Sequence, residues 1–316
     1  MLMLWGMSIL QYRSPAVGWR SVMISRPAKL RREHFSLAIE QDQTAFVPFE
    51  DIAVIVLNHR EISLTHPVLS ACGEYGIGLY ATGQNHQPSG VFLPFLSHSR
   101  TTRLMRKQLD IGKPLAKQAW ASIVRRKIEN QAICLQLSAR KGVERLNSYA
   151  NRVRSGDVEN LEGQAAAFYF TQLFGHGFYR AETRWTNAAL DYGYAVLRGA
   201  IARGLVAHGL HPIIGLFHAN EQNAFNLADD LIEPFRPLVD LHVCKHHAVT
   251  DGDLSPSDKA ALVALLNVDV AMPQGNMTAL SAIEYAVESL ARLYELGDSS
   301  LDLPRLIGLS AHILEC

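Results

Sequence analysis

A glutamate in the middle of the chain occupies a position that suits a metal ligand. On a helical wheel of about 100° per residue, Glu162 lies in the middle of an apolar stripe. A buried carboxylate costs free energy unless it is paired or bound to a metal ion. The residues that share its face are Val158, Ala165, Ala166, Tyr169 and Leu173. The alternative is a structural ion pair, for which the candidate partners are Arg180, Arg184 and Arg198.

A second helix, predicted over residues 223–235, carries two further acids. Asp230 and Glu233 are three residues apart and therefore neighbours on the helix surface. Two adjacent carboxylates repel each other, and a divalent cation relieves that repulsion. Pro234 cannot donate a backbone hydrogen bond, so we expect the helix to kink beside the acids. The alternative is a solvated polar face, whose members are Asn223, Asn226, Asp230 and Glu233.

His218 precedes this helix and completes a possible ligand set. One imidazole and two carboxylates suit Mg²⁺ or Mn²⁺ better than a structural zinc ion, which prefers cysteine and histidine. The four cysteines are far apart and form no C-x-x-C pair, so neither a zinc site nor a disulfide framework is expected. A lone histidine of this kind is usually structural.

The elements that position these residues change character near residue 97. Short segments rich in Val, Ile and Phe predict strands before it, with one helix at 67–75. Long segments without internal Pro or Gly predict helices after it. We therefore expect an α+β protein, with a small mostly-β N-terminal domain (1–97) and a larger all-α C-terminal domain (98–316). The predicted strands cover 21–25, 36–41, 45–49, 52–57, 77–81 and 90–95. The predicted helices cover 115–137, 159–173, 188–207, 223–235, 257–266 and 279–296.

Positive charge is concentrated at the start of the predicted helical domain. Residues 100–145 hold twelve basic side chains against three acidic ones, although the whole chain has a formal net charge of zero. Such a segment is either a phosphate-binding surface or a solvated face that pairs with acids elsewhere. The candidates for phosphate contact are Arg103, Arg106, Arg125 and Arg126.

Apolar residues make up 48% of the chain, enough for a packed core. The opening stretch MLMLWGMSIL is short and lacks a basic n-region, so it is not read as a signal peptide. No run of about 18 apolar residues predicts a membrane span. A cytoplasmic protein is expected.

Long blocks of the sequence resemble one known family. The first two blocks are LDYGYAVLRGAIARGLVAHGLHPIIGLFH and NAFNLADDLIEPFRPLVD. The upstream blocks are NLEGQAAAFYF, GWRSVMIS and EDIAVIVLNHREISLTHPVLSACGEYGIGLYA. They resemble the CRISPR adaptation integrase, the large subunit of the spacer-acquisition complex. Within that family, the sequences of these blocks are most similar to those of type II systems. Residues 1–17 have no clear match.

The resemblance implies a catalytic and metal-binding set. The family's first glutamate falls on Glu162, its histidine on His218 and its downstream acid on Glu233. Asp230 matches another acid of the same string and is expected to bind the metal, hold a water or shape the helix. The implied cofactor is Mg²⁺ or Mn²⁺.

The same resemblance implies an activity and partners. The expected activity is metal-dependent DNA endonuclease and integrase chemistry, in which the 3′-hydroxyl of a spacer precursor attacks a phosphodiester at a CRISPR repeat. The expected partners are double-stranded DNA, a second copy of the chain through the β domain, and a small ferredoxin-like companion subunit. A type II effector nuclease and an accessory subunit are also implied.

Two other functions stay open on the sequence. The first is a metal-dependent nuclease for branched or single-stranded nucleic acid in repair, which would use the same three residues. The second is a non-catalytic DNA-binding scaffold, in which the acids form structural ion pairs.

Overall fold

A computed structural model describes residues 20–83, 88–94, 100–180, 182, 184–246 and 254–311. Strands predominate at the N-terminal end of this range and helices after residue 100, which confirms the predicted fold class. The predicted boundary between residues 97 and 98 falls in 95–99, outside the described residues. Residues 1–17 also lie outside them, as does the strand prediction beyond residue 94.

The N-terminal region contains two four-stranded sheets and one helix. One sheet has the strand order β1-β5-β7-β8 and the other β4-β3-β2-β6. Residues 52–56 of β5 are all buried, and β5 lies parallel to both β1 and β7, as a continuous apolar run predicts for a central strand. The elements are β1 (Arg20–Ile24), β2 (Ala28–Glu33), β3 (Ser36–Glu40), β4 (Thr44–Pro48), β5 (Ile52–Leu57), β6 (Ile62–Leu64), α1 (His66–Tyr75), β7 (Gly78–Thr82) and β8 (Pro88–Phe92).

The C-terminal region is built around two long helices, α3 and α6. Most of the residues of α6 are buried, and α3 packs against α4, α5 and α8. The helices are α2 (Thr101–Leu109), α3 (Lys113–Leu137), α4 (Val143–Arg152), α5 (Leu161–Phe174), α6 (Trp185–Ala207), α7 (Asn226–Leu231), α8 (Arg236–Lys245), α9 (Pro256–Ala264) and α10 (Ala279–Leu296).

A small sheet departs from the all-α prediction for this region. The strands β9 (Val268–Met272), β10 (Gly275–Thr278) and β11 (Arg305–Ala311) pair in the order β10-β9-β11. The first two form a short hairpin, and β11 joins with an irregular register. Segments of four to seven residues carry too little periodicity to be separated from helix ends by sequence alone.

The predicted helix over 223–235 is also different in the structure. It is a short helix, α7, followed by four residues in turns that contain Glu233 and Pro234, and then by α8. Proline breaks the helical hydrogen-bond ladder, as expected, and the break is complete.

The β-rich and helical regions are joined at α6. The Tyr80 hydroxyl donates to the carbonyl of Gly199, and the Arg203 guanidinium donates to the carbonyl of Gly76 at 2.9 Å. A Cβ at Gly199 would lie 2.6 Å from the Tyr80 ring, so only glycine allows this approach. Within the described residues, no helix is long and apolar enough to cross a membrane.

Candidate active site

Glu162 lies in the first turn of α5. The Asp157 carboxylate accepts hydrogen bonds from the backbone N–H groups of Leu161 and Glu162, both at 2.9 Å, and the Asn160 side chain accepts from Gly163. These bonds satisfy N–H groups that a helix start leaves free. The Glu162 side chain is 31% exposed, so it lies at the edge of the core rather than at its centre.

Glu233 lies in the turns between α7 and α8 and is nearly buried, with 7% of its side chain exposed. The backbone around it is fixed from α3, where the Asn130 side chain donates to the carbonyls of Pro234 and Pro304 at 2.7 and 2.9 Å. The Arg236 guanidinium pairs with the Glu233 carboxylate at 3.1 Å. The predicted solvated polar face is therefore wrong for this acid.

A single ammonium group connects the two glutamates. Lys127, on α3, contacts the carboxylate of Glu162 and lies 2.5 Å from that of Glu233. Its side chain is only 8% exposed. Burial would lower the pKa of Lys127, but the Glu233 and Glu162 charges outweigh burial and raise it. Burial would likewise raise the pKa of Glu233, yet Lys127 and Arg236 hold it below its usual value. Lys127 and Glu233 are therefore both ionised at neutral pH.

Lys127 is a site residue that the sequence reasoning missed. It was counted within the basic surface segment, and the partners considered for Glu162 were arginines. Those arginines pair elsewhere, namely Arg180 with Asp191, Arg184 with Glu182 and Arg198 with Asp229. The sequence does contain a sign that Lys127 is buried, because it shares a helix face with the apolar residues Trp120, Ile123 and Val124. The wheel test applied to Glu162 would have found it.

Asp230 organises the loop that carries His218. Its carboxylate accepts hydrogen bonds from the backbone N–H groups of Leu216, Phe217 and His218 at 2.6, 3.2 and 3.1 Å. The same carboxylate lies 2.7 Å from Nδ1 of His218. A Cβ at Gly215 would come within 2.9 Å of Asp230, so glycine is needed where the loop closes on the acid. Asp230 is fully buried, and its oxygens are occupied by this loop.

His218 is held by this acid and partly open to solvent. The hydrogen bond that His218 donates to Asp230 raises the pKa of His218 against the effect of burial, and the Asp230 and Glu233 charges add to the rise. The His218 side chain is 40% exposed. An imidazole whose Nδ1 faces a carboxylate has its orientation fixed and offers Nε2 to a second partner.

The predicted residues therefore come together in two linked groups. In the described part of the chain, no three histidine, cysteine, aspartate or glutamate side chains lie close enough to hold one ion as placed. Glu162 and Glu233 instead share the Lys127 ammonium. The negative charge of Glu233 also helps to raise the pKa of His218, which links the two groups. A pair of carboxylates that already holds one cation, with an imidazole beside it, has the donor chemistry that Mg²⁺ or Mn²⁺ takes.

The four arginines predicted to contact DNA lie on α2 and α3. Arg103 lies 3.8 Å from Glu295, and Arg126 pairs with Glu129 at 3.0 Å. Arg125 donates to the carbonyl of Val153 at 3.0 Å. Arg106 is exposed on α2. An open groove lined by residues of the 213–226 loop, including His218 and Asn223, passes the histidine side of the site.

Comparison with known proteins finds relatives that match most of the chain. A family model described as "CRISPR associated protein Cas1" matches residues 22–264. A CRISPR-associated endonuclease Cas1 from Neisseria meningitidis serogroup C (strain 8013) is 41% identical over 304 residues, covering 94% of this chain and 99% of the relative.

Solved structures of low sequence identity share the fold. One is described as a casposase bound to integration product, with a TM-score of 0.73, 17% identity, and coverage of 90% of this chain and 92% of that one. Another is a CAS1 protein from Thermotoga maritima, with a TM-score of 0.70, 19% identity, and coverage of 88% and 97%.

Proposed function

The chain belongs to the family of CRISPR associated protein Cas1, and from this premise we propose that it is a metal-dependent DNA integrase and endonuclease. It inserts short DNA fragments into a CRISPR array. The observation that carries the proposal is the convergence of Glu162 and Glu233 on one cation, with Glu233 close enough to act electrostatically on His218.

Glu162, His218 and Glu233 would hold Mg²⁺ or Mn²⁺. Such an ion neutralises charge that develops on a phosphoryl oxygen and lowers the pKa of an attacking hydroxyl. Asp230 fixes the ring of His218, and Arg236 fixes the carboxylate of Glu233. Lys127 lowers the pKa of Glu233 and holds the two glutamates close together. Asp230 is therefore assigned to orientation, since its oxygens are taken up by the loop at 216–218.

The reaction is a transesterification. The 3′-oxygen of the incoming strand forms a bond to phosphorus as the target's bond from that phosphorus to its own 3′-oxygen breaks. The attacking hydroxyl loses its proton, and the departing 3′-oxygen gains one. One phosphodiester replaces another, so no nucleoside triphosphate is consumed. With water in place of the 3′-hydroxyl, the same groups would cut DNA, and the reverse attack would release an inserted strand.

The proposed partners follow from the family. DNA would lie along α2 and α3, where Arg103, Arg106, Arg125 and Arg126 contact its backbone without reading sequence. The β-rich region would form the homodimer, and a small ferredoxin-like subunit would join two such dimers. The type II effector nuclease and an accessory subunit would assist in selecting fragments. These assemblies operate in the cytoplasm.

A strand-joining assay tests the proposal. Purified protein and companion subunit are mixed with a labelled fragment bearing 3′-hydroxyls and a supercoiled plasmid carrying a repeat, with Mn²⁺, Mg²⁺ or EDTA. Label should enter the plasmid only with a metal ion. In E162Q, H218A and E233Q, joining should fall by more than about a hundredfold, because each loses a group that would hold the metal ion. E61Q, at an exposed loop of the β-rich region, is the matched control.

The same assay separates the alternatives. Metal-dependent cutting of branched DNA with no joined product would show a repair-type nuclease. Wild-type protein that binds DNA but gives neither product, with E162Q and E233Q losing stability instead, would show a scaffold.

A further inference from the structure

An exposed aromatic ring lies directly beside the candidate site. Phe217 precedes His218 in the loop held by Asp230, and 56% of it is exposed to solvent. Its backbone N–H donates to Asp230 at 3.2 Å, so the loop is anchored at this residue. The ring is therefore presented from a fixed backbone and not from a loose loop.

Trp120 lies behind this ring and covers one of its faces. The two ring centroids are 4.3 Å apart and the planes differ by 2°, a parallel stack. Trp120 is only 3% exposed, and its ring also contacts His218 edge-on at 5.7 Å. Phe217 and His218 are likewise edge-on at 5.7 Å. The buried indole thus fixes the phenyl ring beside the imidazole and leaves the outer phenyl face open.

Two exposed lysines lie on the same helix as Trp120. Lys113 and Lys117 precede it by seven and three residues, which places all three on one face of α3. Both are exposed, and neither forms an ion pair with any residue that the structure describes. Lys113 and Lys117 are four residues apart, which is about 6 Å along the helix axis. Lys127 lies seven residues beyond Trp120 on the same face, so the strip leads to the two glutamates.

Exposed phenylalanines are common and need no function by themselves. Phe46, on β4, is 55% exposed, nearly the same fraction as Phe217. Within the described residues, however, Phe46 has no aromatic partner. Phe217 combines exposure with a rigid parallel backing and edge-on contact with a candidate catalytic histidine. A planar ring with one open face, on a protein surface that also carries exposed lysines, is the kind of platform on which single-stranded nucleic acid stacks its bases.

We propose that Phe217, backed by Trp120, is a stacking platform for one nucleobase next to the reacting phosphate. The base leaves its neighbours in the DNA and lies on the open phenyl face, while Lys113 and Lys117 hold the adjoining backbone. This fixes the phosphate against His218 and the glutamates. The DNA is identified through the function proposed above, and the platform itself is independent of whether joining or cutting follows.

The test uses full-length protein and a branched DNA that mimics a joined strand, in EDTA so that no chemistry occurs. The fluorescent base 2-aminopurine, whose emission falls when it stacks, is placed in turn at each nucleotide flanking the junction. The wild-type protein should quench it at one or two adjacent positions. F217Y should do the same, since it keeps the ring. F217A and F217L should lose the quenching and bind roughly tenfold more weakly, because base stacking on an aromatic ring is lost.

Two comparisons make the test specific. F46A should quench and bind as the wild-type protein does. An abasic nucleotide at the quenched position should weaken the wild-type complex to the level of F217A and leave F217A unchanged. Thermal melting of each variant shows whether the fold is retained.

The proposal is overturned if a folded F217A quenches and binds as the wild-type protein does. It is also overturned if the abasic nucleotide weakens both complexes equally, or if the wild-type protein does not bind the branched DNA. Failure of the proposed function has a different signature, namely normal quenching in EDTA with no joined or cut product when Mn²⁺ is added.

Discussion

Two buried carboxylate clusters in the helical region hold their acids in opposite ways. At the candidate site, Glu233 is paired with Lys127 and Arg236, which keep its pKa low despite burial. At the second cluster, Asp240 on α8 accepts hydrogen bonds from the hydroxyls of Tyr169 and Tyr194. Burial raises the pKa of Asp240 to about 6, because hydroxyl groups compensate its charge less than cations do.

Arg236 connects the clusters, since its guanidinium lies 4.7 Å from the centre of the Tyr194 ring while pairing with Glu233. The difference shows where the fold maintains full negative charge. Formal cations surround the acids that would act on a phosphate, and neutral hydroxyls surround the acid that only joins helices. The proposed site thus differs from the Asp240 cluster in the charge of the groups that surround its acids, not in burial.

The largest effect is expected when the Lys127 ammonium is removed from the cluster that contains Glu162 and Glu233. K127M should destabilise the protein by about 3 to 5 kcal/mol, because two acids lose their shared partner and Glu233 is buried. Mn²⁺ should restore more stability to K127M than it gives the wild-type protein, since the ion would take the vacated position between the carboxylates. The measurement is urea unfolding with and without Mn²⁺.

K117M is the control, because Lys117 is an exposed lysine on the same helix, and its effect should stay within about 0.5 kcal/mol. Equal stability of K127M and the wild-type protein without metal would show that the ion pairs do not hold the glutamates together.

The second cluster should respond to pH in the opposite sense from an ion-paired acid. The folded-state pKa of Asp240 is raised, so its protonated form favours folding below about pH 3.8 and that contribution is lost as pH rises to about 6. The amide of D240N does not ionise, so the variant does not lose this stability as pH rises. The unfolding free energy of D240N minus that of the wild-type protein should therefore increase by about 2 to 3 kcal/mol between pH 4 and 6.5.

Urea unfolding over this pH range measures the effect, with D42N at an exposed turn as the control that should parallel the wild-type protein. A constant difference between D240N and the wild-type protein across the range would mean that Asp240 is ionised throughout.

Asp230 represents a third way to hold a buried acid, through backbone N–H groups. In D230N, one acceptor oxygen becomes an amide donor facing the N–H groups of residues 216–218, so the His218 loop should loosen. Mn²⁺ affinity, measured by calorimetry, should fall about 10- to 100-fold, as for other residues that orient a metal-binding histidine. E221Q, exposed in the same loop, should keep its affinity. Unchanged affinity in a folded D230N would remove Asp230 from the site.

The sequence named the candidate site residues but not the partners that the structure gives them. Helical periodicity singled out Glu162, which lies half-buried at the edge of the core, and the family resemblance added His218 and ranked Glu233 above Asp230. Lys127 was missed because a lysine in a basic segment is usually on the surface, and only packing of α3 against α5 and α7 shows otherwise. Interactions between distant helices leave no local pattern in the chain.

The fold shows the same limit. Long periodic segments were predicted closely, and α10 matches the predicted range of 279–296. The hairpin β9–β10 was not predicted, because strands of four and five residues carry little periodicity. The strand β11 was not predicted, because it pairs with a strand more than 30 residues earlier in the chain. The Phe217–Trp120 stack joins residues almost 100 positions apart and is equally invisible to periodicity.

The smallest effect concerns His242, two residues from Asp240 on α8. Burial and the neighbouring His246 lower the pKa of His242 to about 4, so its neutral form supports folding above pH 6.5 and this contribution is lost as pH falls toward 4. The ring is partly exposed, which limits the contribution to about 1 kcal/mol. H242Q should therefore lose less stability in acid than the wild-type protein, whereas D240N gains stability, relative to the wild-type protein, toward neutral pH.

Because the two residues titrate in the same range with opposite signs, the double variant should combine both changes. H176Q, at an exposed position, is the control. If H242Q follows the wild-type acid profile, His242 has the same pKa in the folded and unfolded protein, and burial does not lower it.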